Sequence, residues 1–261
     1  MGRNKRIGGA AGSSGGLRYT DWASHTANTK GNFSFHKVVY YDDFTGVAID
    51  NTYDYTVAGV AEGGATVAVP HVCDLATATN DDDDTEMAMG VAYYGQYNAT
   101  MEVRFRILDV DETCVNLGFA NATGYSADAL GMMYSGTTLA SEATEFAGLM
   151  YDTEASTDYL YFISSKAGSD GSVISTAVTP TDTSYHTMRV ELVDNGTTTD
   201  ARFYLNSTGL AIDPYADYVG IELDAVTRTT AMCPYFGIIN HDESAANHLY
   251  IDYIKVWQDR Y

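Results

Sequence analysis

The residues best suited to chemistry in this chain are carboxylates that cluster at positions 109–112, 142–145 and 152–154. Two carboxylates on one face of a strand, about 5–5.5 Å apart, can act as nucleophile and general acid in glycoside hydrolysis. The first cluster follows the end of a strand-like segment, the second lacks an aspartate between its two glutamates, and the third begins a loop. We therefore predict no catalytic residue.

Two other segments carry residue types that bind metals. Residues 80–84 read NDDDD, and a loop near the C-terminus holds His241, Asp242, Glu243 and His248. Carboxylate oxygens suit Ca²⁺, but the acidic run lacks the alternating ligands, the glycine and the distant glutamate of a helix–loop–helix calcium site. We interpret both segments as solvated loops. No metal site or cofactor is predicted, and Ca²⁺ binding is kept as the alternative.

Aromatic residues form a third group, because the chain contains 21 Tyr. An aromatic ring presents a flat apolar face, and Tyr adds a polar tip, so these side chains can stack on a sugar ring. The same residues are also common in strands and at protein interfaces. The candidate glycan contacts are Tyr93, Tyr94, Tyr125 and Tyr134.

The first 35 residues are rich in Gly, Ser and Ala. This composition buries too little apolar surface to offset an ordering entropy of ~1–2 kcal/mol per residue. Six of the 14 basic residues but only one of the 35 acidic residues lie within the first 37 positions. We predict a basic arm that binds a partner, with an arm folded back on its own domain as the alternative. The candidate partner contacts are Arg3, Lys5, Arg6, Arg18, Tyr19 and Trp22.

The rest of the chain is strongly acidic, since the whole chain has a formal net charge of −21. Such a surface repels nucleic acid and anionic membranes, so neither is expected as a partner. No window approaches the ~20 apolar residues of a membrane-spanning helix, and no apolar stretch follows the N-terminal basic residues. We expect synthesis in a reducing cytoplasm, with Cys73, Cys114 and Cys233 as buried, reduced thiols.

The elements that would position these residues are short β-strands. Residues 99–108 (ATMEVRFRIL) alternate most clearly, with the apolar residues from Met101 to Ile107 on one face. The predicted strands are 38–44, 65–72, 86–94, 99–108, 114–120, 146–151, 159–165, 173–179, 186–193, 201–206, 233–240 and 248–258.

Turn-forming clusters separate these strands, and Asp194-Asn195-Gly196 between two alternating strands predicts a hairpin. Short helices are predicted at 137–146 and 214–219. A long succession of short strands is typical of an all-β, two-sheet antiparallel jelly-roll sandwich. The predicted organisation is an extended arm, residues 1–35, followed by one sandwich domain, residues 36–261.

The last predicted strand, residues 248–258 (HLYIDYIKVWQ), is rich in aromatic and β-branched residues. A strand that is apolar on both faces belongs inside a sheet that is covered on both sides. In regular alternation one face would carry Leu249, Ile251, Tyr253 and Trp257, and the other Tyr250, Ile254 and Val256.

The segment IDYIKVWQ (251–258) resembles the closing strand of concanavalin A-like lectin/glucanase domains, in particular laminarinase-type glucanases. VVYYDDFTG (38–46) resembles their first strand, and residues 186–206 are similar to a hairpin of laminin-G-like domains. The resemblance covers residues 36–261 and implies a concanavalin A-like sandwich. It also implies Glu-x-Asp-x-Glu or Glu-x-Asp-x-x-Glu on a central strand. The sequence lacks this motif, so the resemblance does not extend to glycosidase activity.

Two non-enzymatic functions follow. The first is a virion structural protein, similar to a capsid decoration or head-fibre protein of a tailed bacteriophage. Its arm would bind the major capsid protein or another virion subunit, and it would form a homo-oligomer on a particle assembled in the host cytoplasm. The second is a carbohydrate-binding, lectin-like module for receptor binding or adhesion, with an inactive or divergent glycoside hydrolase as a further alternative.

Overall fold

The computed structural model describes residues 37–45, 49, 55–59, 64–68, 71–90, 92–108, 110–125, 128–135, 138–241 and 245–260. Within these residues the chain forms 19 β-strands and one short 3-10 helix, Gly95–Tyr97. None of the helical structure in this part of the chain is long or apolar enough to cross a membrane.

The strands follow one another with short connections. In chain order they are β1 (Lys37–Asp42), β2 (Tyr55–Gly59), β3 (Gly64–Ala68), β4 (Val72–Ala76), β5 (Asp84–Met89), β6 (Tyr93–Tyr94), β7 (Thr100–Leu108), β8 (Thr113–Ala120), β9 (Met132–Ser135), β10 (Thr138–Ser141), β11 (Glu145–Asp152), β12 (Tyr161–Lys166), β13 (Ser169–Asp170), β14 (Ile174–Ser175), β15 (His186–Asp194), β16 (Thr199–Asn206), β17 (Tyr218–Val226), β18 (Ala231–Asn240) and β19 (His248–Asp259).

Two large antiparallel sheets contain most of these strands. Sheet A has the order β17-β16-β15-β7-β19-β4-β3. On the same edge of β19, β4 pairs with residues 248–251 and β1 pairs with residues 254–259. Sheet B has the order β13-β12-β11-β8-β18-β5-β2, with β14 beside β12 and β6 beside β18. The strands β9 and β10 form a separate hairpin. The all-β, two-sheet antiparallel sandwich predicted from the sequence is confirmed.

The main core lies between the sheets, because alternate residues of each strand point inward. On β7, the alternate apolar residues from Met101 to Ile107 are fully buried, as predicted. The rings of Phe162 on β12 and Phe203 on β16 stack across the two sheets with centroids 4.8 Å apart. Sheet packing of this kind buries apolar area from both layers and is the main source of stability.

The closing strand β19 departs from regular alternation at one point. Its pairing with β7 shifts register between Ile251 and Tyr253, which makes Asp252 a β-bulge. Alternation would place Tyr253 and Trp257 in the core with Ile251, but both lie half-buried on the outer face of sheet A. The predicted assignment of faces is therefore wrong beyond the bulge, and the outer face is partly open to solvent. The residues of β19 that point into the core are Leu249, Ile251, Ile254 and Val256.

A second apolar cluster occupies the outer face of sheet B. Its members alternate along the strands with residues of the main core, as Cys114 and Val115 do on β8. This face is covered by residues 124–125, 128–135 and 138–144, here called the cover segment. Leu130 and Met132 of the cover segment are fully buried there. Sheet B is therefore apolar on both of its faces.

Several local predictions can be compared with these elements. The predicted hairpin is confirmed, since β15 and β16 pair up to Asp194 and Thr199 and Gly196 has a φ of +88°. Both predicted helices are wrong: residues 138–141 and 145–152 are strands, and 214–216 form a turn before β17. Residues 138–141 pair with the neighbouring β9 and residues 145–146 with β8 and β12, so strand pairing outweighs local propensity in the first of these segments. All three cysteines, Cys73, Cys114 and Cys233, are buried and free, as predicted.

Candidate functional site

The outer face of sheet A carries aromatic and charged side chains in register across six strands. Each is the partner of the next in the antiparallel ladders, and alternation places them all on the face away from the main core. On β19, Tyr253 and Trp257 lie on the same face, two residues before and two residues after the member of this set, Lys255. This sheet A row, from β1 to β17, consists of Tyr41, Lys255, Glu102, Arg189, Tyr204 and Tyr218.

Glu102 is the electrostatic centre of the sheet A row. Its carboxylate is largely buried, and Oε2 accepts a hydrogen bond from Arg189 Nε at 2.9 Å. Oε1 accepts a second bond from the hydroxyl of Tyr253 at 3.1 Å. Burial, and then the charge of Glu102, raises the pKa of Tyr253, so its hydroxyl stays protonated and donates this bond. These contacts fix the orientation of the Tyr253 ring.

A cavity of about 280 Å³ opens beside Glu102 and is lined by Val39, Tyr41, Glu102, Tyr253 and Lys255. Its volume is close to the lower end of the ~300–1,000 Å³ typical of ligand pockets. The rings of Tyr41 and Tyr253 lie 6.1 Å apart at an interplanar angle of 32°. Two aromatic walls with one carboxylate and one ammonium can hold a small polar ligand that has an apolar face, such as a sugar ring.

The indole of Trp257 extends the aromatic surface beyond this cavity. The ammonium of Lys255 lies 4.9 Å from the centroid of the Trp257 ring, and the guanidinium of Arg189 lies 5.8 Å from it. Cation–π contacts of this kind hold long basic side chains close to the ring. The cations therefore stay near the aromatic surface, where they can donate hydrogen bonds to a bound ligand.

The four tyrosines predicted as glycan contacts fall in different parts of the structure. Tyr93 is 1% exposed and packs in the main core, so it offers no surface to a glycan. Tyr94 is half-buried beside β18, while Tyr125 and Tyr134 belong to the cover segment. The structure does not bring these four side chains together into one patch.

The predicted partner contacts of the arm fall outside the described residues, so the arm and its role remain predictions. These residues are Arg3, Lys5, Arg6, Arg18, Tyr19 and Trp22.

Polar side chains on the outer face of sheet B hold the cover segment in place. Glu86 accepts a hydrogen bond from the backbone N–H of Tyr125 at 2.9 Å, and Asp152 accepts one from the backbone of β9 at 2.6 Å. Asn116 donates to the carbonyl of Met132 at 2.7 Å and accepts from its N–H at 2.8 Å. Three strands of sheet B thereby bind the cover segment. Of these three side chains, sequence reasoning considered only Asp152, which it placed at the start of a loop, whereas it is the last, buried residue of β11.

A central strand with the glucanase motif would present acids at alternate outward positions. The three central strands of sheet B carry no such series among their described residues. Their outward residues are Cys114, Asn116, Gly118 and Ala120 on β8, Phe146, Gly148, Met150 and Asp152 on β11, and Cys233, Tyr235, Gly237 and Ile239 on β18.

The acidic run and His241, predicted to lie in separate solvated loops, meet at one end of sheet B. Ligand atoms of Asp81, Asp82 and His241 all lie within 4.8 Å of one another. Burial and the charge of Asp81 raise the pKa of Asp82, while His241 acts in the opposite direction. Residues 242–243 of the predicted loop lie outside the described residues. His248 is bonded elsewhere, with Nδ1 2.9 Å from a carboxylate of β4 in sheet A.

The architecture defines a concanavalin A-like, jelly-roll sandwich. No known protein family and no curated protein sequence matches the chain. Solved structures do match: the β-glucanase of Bacillus licheniformis is 12% identical with a TM-score of 0.56, covering 85% of this chain and 98% of that one. A pseudo β-1,3-glucanase and immunostimulatory antigen of Mycobacterium tuberculosis is 10% identical with a TM-score of 0.56, covering 84% and 98%.

A third match is LamA from Z. galactanivorans, solved in complex with laminaritriose and laminaritetraose. It is 10% identical with a TM-score of 0.59, and the match covers 86% of this chain and 99% of that one. At such identities the likeness establishes the fold alone. It agrees with the fold that the two terminal strand motifs implied.

Sequence reasoning missed the residues that line the cavity. The polar face of β7, which includes Glu102, was evident from its alternation. Tyr253 was assigned to the core because the bulge at Asp252 has no signal in regular alternation. Tyr41 lies in the predicted strand 38–44, to which no functional residue was assigned from the sequence. The local signal that could have identified Tyr253 and Trp257 as surface residues is Asp252, a charged residue inside an otherwise aromatic and aliphatic strand, where a bulge can reverse the alternation.

Proposed function

We propose that the protein is a non-catalytic carbohydrate-binding module that binds glycan on the outer face of sheet A. The observation that carries this proposal is the cavity beside Glu102, walled by the rings of Tyr41 and Tyr253. Pockets that combine apolar walls with a few well-placed polar groups are the usual form of a small-molecule site.

The chemistry of the cavity matches that of a sugar. The C–H face of a pyranose ring packs on an aromatic ring, and its hydroxyls exchange hydrogen bonds with carboxylate and ammonium groups. Glu102 is held by Arg189 and Tyr253, so it needs little reorganisation to accept a bond from a hydroxyl. The sheet A row crosses six strands, or about 24 Å at ~4.8 Å per strand, which is long enough for an oligosaccharide.

The absence of the glucanase motif from the sequence supports a binding rather than a hydrolytic role. Glu86 and Asp152, the outward acids of sheet B named above, accept hydrogen bonds from the cover segment. An inactive glycoside hydrolase would fit the same proposal, because it would keep the fold and a glycan-binding surface, whereas a divergent but active hydrolase is a separate alternative.

The first ligands to test come from the solved structures with this fold. One of them holds laminaritriose and laminaritetraose, and another is named a β-glucanase. We therefore expect a β-linked glucan to bind, and choose laminari-oligosaccharides and mixed-linkage β-glucan as probes, followed by a broad glycan array.

Calorimetric titration of the full chain tests the proposal. Tyr253→Ala and Trp257→Ala should each weaken glycan binding by about tenfold or more, because buried aromatic contacts dominate such interfaces. Tyr253→Phe keeps the ring and removes the hydroxyl that holds Glu102, so it separates stacking from positioning. Tyr215→Ala, at a turn residue that is 95% exposed, is the matched control and should leave the affinity unchanged.

Binding that survives both alanine substitutions would move the site off sheet A and contradict the proposal. Release of reducing ends from laminarin by the purified protein would contradict the proposal that the protein is non-catalytic. A protein that bound no glycan, but sedimented with virus particles only when residues 1–35 were present, would favour the virion structural role predicted from the sequence. That role rests on the arm, and the glucanase-fold structures named above give it no support.

A further inference from the structure

We propose that Asp81, Asp82 and His241 form a binding site for one divalent transition-metal ion such as Zn²⁺. The site lies at one end of sheet B. His241 directly follows β18, and Asp81 and Asp82 belong to the turn that precedes β5. It is separate from the cavity on the outer face of sheet A and does not depend on the proposed glycan-binding function.

His241 is the observation that points to a ligand. Its side chain is only 9% exposed, and its Nδ1 faces the carboxylate of Asp82 at the edge of the acidic run. Nδ1 lies 3.7 Å from Oδ1 of Asp82, which is too long for a hydrogen bond. Two ligands at ~2.1 Å from one tetrahedral ion lie about 3.4 Å apart. The separation of the imidazole and the carboxylate is therefore close to that of two ligands on one ion.

The second ring nitrogen faces a carboxylate that can orient the imidazole. Nε2 of His241 lies 3.6 Å from Oδ1 of Asp152, a residue with no exposed surface. Asp152 is itself fixed, since it accepts backbone hydrogen bonds from Glu154 at 2.9 Å and Tyr134 at 2.6 Å. Metal-bound histidines almost always donate their other N–H to such a carboxylate. A metal on Nδ1 would place the proton on Nε2, and a small shift of the ring from the present 3.6 Å would bring Nε2 into hydrogen-bond distance of Asp152.

The backbone around the ligands is held from both sides. The N–H of Asp82 donates to the carbonyl of Asn240 at 2.7 Å, and the N–H of Asn240 donates to the carbonyl of Asp83 at 3.0 Å. The N–H of His241 donates to the carbonyl of Glu112 at 2.8 Å. The ligand-bearing segments are thus joined before any ion arrives, which reduces the ordering cost of binding.

The donor set selects the kind of ion. One imidazole nitrogen with two carboxylates suits Zn²⁺ and neighbouring first-row ions, whereas Ca²⁺ and Mg²⁺ take oxygen ligands. Asp81 and Asp82 are exposed, so their side chains can rotate onto the ion and water can complete the coordination. Because the chain carries a net charge of −21, many cations will adsorb weakly, and the test must separate that adsorption from this site.

Calorimetric titration of the full chain with ZnCl₂ in 150 mM NaCl at pH 7.5 tests the proposal. We expect one Zn²⁺ per chain, bound at least about tenfold more tightly than Ca²⁺. His241→Gln and the double variant Asp81→Asn/Asp82→Asn should each weaken Zn²⁺ binding by at least about tenfold. His248→Gln and the double variant Asp158→Asn/Asp170→Asn remove matched groups elsewhere and should leave it unchanged.

Asp152→Asn should weaken binding by about 10–100-fold through the orientation of His241. Circular dichroism must show that this buried variant is folded, and the ¹⁵N shifts of the His241 ring provide a second measurement on the unaltered chain. Zn²⁺ should shift Nδ1 as a metal-bound nitrogen and leave Nε2 protonated. A histidine variant that binds Zn²⁺ as well as the unaltered chain would overturn the proposal. Loss of Zn²⁺ binding in both control variants, or ring shifts that do not respond to Zn²⁺, would also overturn it.

Discussion

At the scale of single residues, His186 is an unusual member of the interior. It begins β15, is 2% exposed, and neither ring nitrogen has a hydrogen-bond partner. Its ring lies 5.7 Å from that of Phe105, so its surroundings are largely apolar. Burial lowers the pKa of His186 below its ordinary value of about 6.5, and the ring is neutral in the folded protein at pH 7.

This burial predicts a pH dependence of stability. The unfolded chain binds a proton on this imidazole below about pH 6.5, whereas the folded chain binds it only at lower pH. The stability that depends on the neutral ring is therefore present above pH 6.5 and is lost as the pH falls toward the folded-state pKa. His186→Phe keeps an aromatic ring and removes the titration.

We expect His186→Phe to be equally stable, or about 1 kcal/mol more stable, at pH 7.5, because unpartnered buried nitrogens are costly. Its advantage over the unaltered protein should widen at pH 5.5. Urea denaturation of both proteins at the two pH values measures this difference. Parallel pH profiles for the two proteins would contradict the burial of a neutral imidazole.

At the scale of elements, the cover segment is the feature that distinguishes the two outer faces. It closes sheet B, where Leu130 and Met132 are fully buried, whereas the outer face of sheet A stays partly open. Side chains of Glu86, Asn116 and Asp152 bind the backbone of the cover segment, and Asn116 does so on the central strand β8. Asn116 is fully buried, so if it were replaced, the N–H and carbonyl of Met132 would lose these hydrogen bonds in a place that water does not reach.

Asn116→Ala should destabilise the protein by about 2–3 kcal/mol, because it leaves the buried N–H of Met132 without this bond and its carbonyl with only the weak donor of the Cys114 thiol. Urea denaturation measures the loss, and hydrogen exchange should show faster exchange in residues 128–144 than in β7. Asn195→Ala, at an exposed asparagine in the turn between β15 and β16 and away from the cover segment, is the control and should cost about 1 kcal/mol or less. Equal losses in the two variants would contradict the holding role of Asn116.

At the scale of the whole molecule, the excess of acidic residues opposes folding. A net charge of −21 on 261 residues repels itself more strongly in the compact state than in the unfolded chain. Ion pairs such as Arg104–Asp252 at 2.6 Å and Lys166–Asp224 at 2.5 Å offset little of this, since exposed pairs contribute about 0–1 kcal/mol each.

Added salt should therefore stabilise the protein. Raising NaCl from 20 to 500 mM shortens the screening length from about 20 Å to about 4 Å. A gain of about 1 kcal/mol would raise Tm by about 2–4 °C for a domain of this size. Scanning calorimetry without divalent ions measures the shift. A Tm that falls with salt would mean that the ion pairs outweigh the repulsion.

Much of the fold was evident in the sequence because it is encoded in local periodicity. Alternation on residues 99–108 identified β7 and its buried face, and Asp194-Asn195-Gly196 identified the hairpin of β15 and β16. The helix prediction at 137–146 failed because those residues pair with β9, β8 and β12, which no local pattern records. The sequence also showed that the Glu-x-Asp-x-Glu and Glu-x-Asp-x-x-Glu motifs implied by the resemblance are absent.

The candidate sites depended on tertiary structure. The bulge at Asp252 moved Tyr253 and Trp257 from the core to the surface beside Tyr41, a residue at the other end of the domain sequence. Pairing of β5 with β18 brought the acidic run to His241. The sequence by itself determined the strands that alternate clearly, such as β7, β15 and β16, since a period of two is a local property, but it did not reveal β2, β9, β10 or β17. Only the tertiary structure decided which side chains meet, because register, bulges and strand order are set by packing between distant segments.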